Sequence, residues 1–283
     1  MIVTSMTTMK KSVPSLLIKG STDAFADFRQ TAQDELEEKI LGHSLITKLE
    51  ENLEADANLR RMVERVISIS GFLKGIPSAD LVLTDSGFAV ESSEKMTPAS
   101  RQRVDTLMKS LSERLDEAID SLIHFLLHST TYADWRGTSQ FDEIASGLIS
   151  TYRDFKNYAQ YSPSVADKYP HSYEEFSKLY PNLNSTLILD IAPYISQEYC
   201  DELIEKYKDN EISSVTEKQV ISYLKYALAA YVLGNREMGQ SFTLKAVSFM
   251  KARPADFPTF TASPAAASID IQREDTPIYS MLG

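Results

Sequence analysis

Between Val104 and Leu126, apolar side chains stand at Val104, Leu107, Met108, Leu111, Leu115, Ala118, Ile119, Leu122 and Leu126. Steps of three and four place all of them on one side of a 3.6-residue helix. About 30 residues of helix extend roughly 45 Å. One long element therefore sets the scale of whatever packs against it. Thr97-Pro98 supplies its expected start, with threonine as cap and proline in the first turn, where its missing N–H is not needed.

The same period recurs along most of the chain. A helix is expected over 21–41, capped by Ser21 or Thr22, with Asp23 in its first turn and Gly42 at the left-handed position that ends it. Shorter helices follow over 44–54 and 58–74. Leu81-Val82-Leu83 and Phe88-Ala89-Val90 flank Thr84-Asp85-Ser86-Gly87, a turn sequence between two strand-like runs, which predicts a small β-hairpin at about 81–91. Further helices are expected over 139–158 and 185–208, the latter broken or kinked at Pro193. Ser172-Tyr173-Glu174-Glu175 and Ser214-Val215-Thr216-Glu217 are capping boxes that start two more. Gly234-Asn235 ends the second of these, and an apolar segment runs on to Met250.

Thirteen of the fourteen tyrosines lie between Tyr132 and Tyr231. That shift places a boundary near 129–137. The expected fold is mainly α: a helical bundle in two lobes, 1–131 with the hairpin and 132–250 rich in tyrosine, followed by an extended or disordered arm over 251–283. The arm holds four prolines and no regular period. A faint echo relates Leu45-Ile46-Thr47-Lys48, followed by a helix ending at Gly75, to Leu203-Ile204-Glu205-Lys206, followed by one ending at Gly234.

Composition narrows function by exclusion. The net charge is −11, and both parts share it: 15 basic and 20 acidic residues over 1–131, 14 and 20 over 132–283. Tight nucleic-acid binding needs a basic surplus on one face, so it is not expected. The longest apolar runs are too short to span a bilayer, and a cytoplasmic location follows as an expectation. A single cysteine, Cys200, gives no internal disulfide.

Reactive groups are sparse. Asp120, His124 and His128 stand at i, i+4 and i+8, one side of the long helix, and are weak candidates for a divalent metal. No neighbouring segment offers a further ligand, and a histidine in the last turn suits the helix dipole. Residues 234–241 imitate a phosphate loop, with Gln240 where the lysine belongs and a helix where the strand belongs. Cys200 reads as a small packing residue. No catalytic residue, cofactor or firm metal site is assigned.

The hairpin segment 81–90, followed by Met96-Thr97-Pro98-Ala99-Ser100 and the long helix, resembles an uncharacterised family of helical proteins encoded in prophages of Bacteroidetes-type bacteria. Residues 28–49, with Ala32 and Ile40-Leu41-Gly42, and residues 176–204, with Ala192-Pro193, are similar too. The likeness spans most of 10–250. It implies a phage structural module, with a role such as a head–tail connector or completion factor incorporated in a virion. It brings no catalytic residues. The leading expectation is a non-enzymatic structural or assembly protein that contacts other proteins, phage structural proteins among them, and forms homo-oligomers. Phe257, Phe260 and Tyr279 would anchor its arm on a partner. The alternatives are a metal-dependent enzyme using Asp120, His124 and His128, and a regulatory helical protein holding a small ligand between its lobes.

Overall fold

The computed structural model describes residues 1–13, 25–51, 56–78, 81–84, 87–90, 100–129, 131–159 and 163–268. It is mainly helical. The expected caps at Ser21, Thr22 and Thr97, and the arm residue Tyr279, lie outside the described residues. The chain divides into two compact units. Met1–Asn157 with Pro170–Tyr180 form the first, and Tyr158–Tyr169 with Pro181–Gly283 the second.

In the first unit, α1 (Met6–Ser12), α2 (Ala26–Leu36), α3 (Gly42–Glu51) and α4 (Ala57–Gly75) are followed by strands β1 (Leu81–Thr84) and β2 (Gly87–Val90). The strands pair antiparallel, Leu81 opposite Val90 and Thr84 opposite Gly87. Then come α5 (Arg101–His128), α6 (Ala133–Arg136), α7 (Ser139–Ala145), α8 (Tyr152–Tyr158) and α9 (Tyr173–Ser177). Helix α4 is the centre of this unit and packs on α1, α2 and α5. Its apolar face, Leu59, Val63, Val66, Ile67, Ile69 and Phe72, is buried. A Cβ at Gly71 would come within 3.0 Å of the Arg29 backbone, so glycine allows α2 and α4 to approach closely. Arg29 is fully buried and donates from Nε to the Val3 carbonyl at 3.1 Å.

The helix expected over 21–41 is α helix only to Leu36. Glu37–Leu41 form a wider π turn, and Gly42, at φ +72 and ψ 160, redirects the chain straight into α3. The long helix α5 keeps its stripe, with Leu111, Ala118, Leu122 and Leu126 buried, while Val104, Leu107 and Met108 are half-buried. The helix expected over 139–158 is two helices. Leu148 adopts φ +60 between them, a conformation that no helix contains.

Helices α6 to α8 pack in the first unit up to Asn157, so the division between units falls after 157 and not near 131. The contacts explain why. Trp135, fully buried on α6, donates its indole N–H to the Ile40 carbonyl, and Gln140 on α7 donates to the Glu38 carbonyl at 2.9 Å. Lys48 of α3 pairs with Asp134 of α6.

The second unit holds a 3₁₀ turn at Pro163–Lys168, then α10 (Tyr180–Thr186, its first residue in the other unit), a second π turn at Leu187–Ile191, α11 (Ala192–Ile195) and α12 (Gln197–Lys208). Pro193 sits in the first turn of α11, after the π turn. Two longer helices, α13 (Val215–Val232) and α14 (Arg236–Lys251), pack side by side. Ser214 caps α13, accepting the Glu217 N–H at 3.0 Å. At its far end, Asn235 N–H bonds to the Ala230 carbonyl and Gly234 N–H to the Tyr231 carbonyl, both at 2.8 Å. Gly234 has φ +88. This is the glycine-ended helix stop in which two final carbonyls find partners. Buried Lys225 lies 5.4 Å from the Tyr158 ring centre and 5.1 Å from that of Tyr207, so two aromatic faces receive its charge.

The stretch expected as an extended arm is folded up to Ser268, in α15 (Pro258–Thr261) and α16 (Pro264–Ser268). Phe257 and Phe260 are 1% and 0% exposed. Tyr199 packs on both rings and Phe249 on that of Phe257. These two phenylalanines are core residues, not partner anchors. The prolines that hide any period here separate helices of only one turn.

Candidate functional site

Asp120, His124 and His128 do not converge. The Asp120 carboxylate is buried, and its two oxygens accept the backbone N–H groups of Tyr152 and Arg153, each at 2.8 Å. It caps α8 from another helix, satisfying N–H groups that a helix start leaves without partners. Burial raises its carboxyl pKa, and the two N–H donors work against that rise. The His124 and His128 rings lie 4.0 Å apart, and His128 Nδ1–H donates to the His124 carbonyl at 2.8 Å. Burial, then the neighbouring His128, lowers the pKa of His124. Among the described residues no group of three or more histidine, cysteine, aspartate or glutamate side chains could hold a metal.

Asp116, one turn before Asp120, plays the matching part. It accepts the Tyr173 N–H at 2.9 Å at the start of α9, where Ser172 also accepts the Glu175 N–H at 3.2 Å. Burial raises its pKa as well. Two carboxylates on successive turns of α5 thus receive the first N–H groups of two short helices. Nothing local in the sequence shows that a distant helix will end on Asp120.

Among the described residues, two concave surfaces offer places for a ligand. The first, of about 380 Å³, lies within the first unit between α2, α4, α5 and α9. Its apolar floor includes Leu36, Leu115 and Ile119, and the Glu35–Lys74 pair, at 2.7 Å, lies among its polar lining. The second, of about 500 Å³, lies within the second unit and is lined by Leu189, Pro193, Tyr194, Tyr231, Arg236 and others. Leu189 and Ile188 project from the π turn and are 71% and 48% exposed. Arg236 reaches Asp190 at 3.7 Å and stays 83% exposed. In the π turn Leu187 and Ile191 are buried while Ile188 and Leu189 face outward, so an unbroken apolar run does not mark which of its members are exposed.

Two further reactive groups, Cys200 and Tyr199, are enclosed. Cys200 is buried, and burial pushes its thiol up to about 12. Tyr199 is raised by burial above the normal tyrosine range. In the loop that imitates a phosphate site, Asn235 caps α14 by accepting the Met238 N–H at 3.2 Å. The glycine there ends a helix, and no strand precedes it.

Residues 27–144, from α2 into α7, match a family of unknown function (DUF6712). No curated protein and no solved structure matches the chain. Among the described residues no helix is long and apolar enough to cross a membrane.

Proposed function

We propose that this chain is a non-enzymatic assembly protein that works through protein–protein contacts, such as the head–tail connector or completion factor implied by its resemblance to an uncharacterised prophage-encoded family. Leu189 carries this reading. It is 71% exposed on a wide helical turn, next to Ile188, at the rim of a cleft with two tyrosines and an exposed arginine. Large aliphatic side chains held in water beside tyrosine and arginine have the composition of a contact surface. The positions of several reactive groups support a non-enzymatic reading. Asp116 and Asp120 hold helix starts, and Cys200 is buried with a raised pKa. The two compact units would be the two lobes of such a protein, and a second copy would be among its partners.

Sedimentation of the full chain over a wide concentration range tests the idea. Leu189→Asp should weaken self-association by about tenfold or more, equal to about 1.4 kcal/mol, with an unchanged far-ultraviolet spectrum. A chain that stays monomeric throughout, and is missing from purified particles of a phage carrying its gene, would overturn the reading.

A further inference from the structure

Charge is unevenly spread along the second unit. Residues 197–217 carry seven carboxylates and two lysines. Residues 218–255 carry six lysines and arginines and one carboxylate, Glu237. The first stretch holds α12, and the second holds α13 and α14. An acidic chain therefore keeps a cationic helix pair beside an acidic helix in one compact unit.

The cations of α14 stand among aromatic rings. Phe242, Lys245, Phe249 and Arg253 follow at i, i+3, i+7 and i+11, which puts them on one side of the helix. Phe242, Lys245 and Phe249 are half-buried and Arg253 is exposed. Lys245 lies 4.6 Å from the ring centre of Phe242, and Arg253 lies 3.8 Å from that of Phe249. Tyr226 stacks on Phe242 at 4.8 Å, and Tyr223 meets Phe249 edge-on at 6.1 Å. Arg253 also donates to the Phe249 carbonyl at 3.3 Å. Among the described residues neither cation reaches a carboxylate. The rings hold both long side chains in place, so less freedom is lost when an anion meets them.

Helix α12 carries the matching row. Glu198, Asp201 and Glu205 are exposed at i, i+3 and i+7, the same spacing as the first three members of the α14 row. Asp201 accepts the Gln197 amide at 2.8 Å, and Glu205 meets Lys208 only at 4.0 Å. Lys245 and Arg253 are about 12 Å apart along their helix, and Glu198 and Glu205 about 10.5 Å along theirs. Two turns of one row thus face two turns of the other.

We propose that the aromatic and cationic row of α14 docks helix α12 of a second copy of this chain, with Lys245 and Arg253 meeting its Glu198, Asp201 and Glu205. The proposal rests on the assembly reading and names a contact that shares no residue with the Leu189 cleft. Both rows belong to one compact unit in which the two cations find no carboxylate, so the pairing is completed between molecules. Different faces meet, so each copy leaves one row open for the next, and the contact builds a ring or a filament. A nucleic-acid strand fits less well. Tyr226 and Arg253 already cover ring faces on which bases would stack, and the chain as a whole repels a polyanion.

Charge reversal in the full chain tests the proposal. One variant carries Lys245→Glu with Arg253→Glu, and the other carries Asp201→Lys with Glu205→Lys. All of these side chains reach the surface, so far-ultraviolet spectra should not change. Self-association measured by sedimentation should weaken about tenfold or more in each variant alone, because like charges then face each other. An equimolar mixture should recover the native affinity, since each reversed row meets its complement on the other chain. Rising salt should weaken the native contact. Native-like association of either variant alone, or a mixture that does not recover, would sink the proposal. So would a single-stranded oligonucleotide that binds the native chain and is lost with Lys245→Glu and Arg253→Glu while self-association stays unchanged, which would give the row to nucleic acid. The assembly reading fails separately: association that ignores both reversals but is weakened by Leu189→Asp removes this contact and leaves that reading standing.

Discussion

The indole N–H of Trp135 donates to the carbonyl of Ile40 at 2.7 Å, joining residues 95 apart in sequence. Both are buried. The carbonyl lies in the π turn that ends α2, where final C=O groups have no partner further along the helix. Trp135 therefore fills the core and closes a helix end together.

Trp135→Phe keeps an aromatic ring and removes the donor. A buried carbonyl left unpaired costs about 1–3 kcal/mol, and the smaller ring adds to that. Urea unfolding followed by circular dichroism should show a loss of about 2–4 kcal/mol. Fluorescence cannot follow the variant, because Trp135 is the sole tryptophan. An unchanged midpoint would show that the indole hydrogen bond contributes nothing.

Gly42 and Ser196 have nearly the same backbone, φ +72 with ψ 160 and φ +73 with ψ 148. Each opens a helix a short way after a π turn. This region is open to glycine and costs other residues about 1–3 kcal/mol. Ser196 recovers part of that cost by accepting the Tyr199 N–H at 3.2 Å. Ser196→Gly should stabilise the chain by about 1 kcal/mol, since glycine as a cap gives up only a few tenths. Gly42→Ala should destabilise it by at least about 1 kcal/mol, because its Cβ would also meet Thr138 at 3.1 Å. Thermal unfolding of both variants measures the two signs, and a destabilised Ser196→Gly would show that the cap outweighs the strain.

Local devices were legible in the sequence. Ser172 and Ser214 cap the helices they precede, and Gly234-Asn235 ends α13, because each depends on residues within five positions. The long stripe of α5 was legible for the same reason. Tertiary outcomes were not. Asp120 looks like any exposed helix carboxylate until α8 ends on it, and Phe257 and Phe260 follow no period because prolines cut their surroundings into single turns. The π turns also stay hidden, since one extra residue per turn leaves no mark in an apolar run.

Lys206 bridges Glu202 and Glu217, at 2.7 Å to each. Burial acts to raise both carboxyl pKa values, but the Lys206 hydrogen bond, with further hydroxyl contacts, outweighs it and holds them below the usual 4.5. Stability from these groups is present above pH 4.5 and is lost as pH falls through their folded values. Lys206 is raised above 10.5 by the hydrogen bonds it donates to the same partners, so its share is complete below that pH and is lost as pH climbs past the folded value. Lys206→Met should therefore flatten the acid limb of the stability profile. The pair is partly exposed, so the effect at neutral pH should stay within about 1 kcal/mol. Denaturant midpoints between neutral pH and about pH 3 provide the measurement. Parallel acid limbs in the two proteins would show that the bridge does not titrate with folding.

Phe260 gives the sharpest contrast between an arm and a core. It is fully buried, with Tyr199 packed against its ring. Removing a buried phenylalanine ring costs about 3–5 kcal/mol, a large share of the 5–15 kcal/mol that holds a typical domain. Phe260→Ala should therefore lower the unfolding midpoint of the second unit strongly. Removing all of 251–283 should expose that unit to proteolysis, because Phe257 is lost with it. Removing only 269–283 spares both phenylalanines and α16, so the fold should keep its stability. Protease digestion of the two truncated chains separates these outcomes. Equal resistance in both would mean that the phenylalanine core contributes little, and equal sensitivity would mean that the last fifteen residues belong to the core.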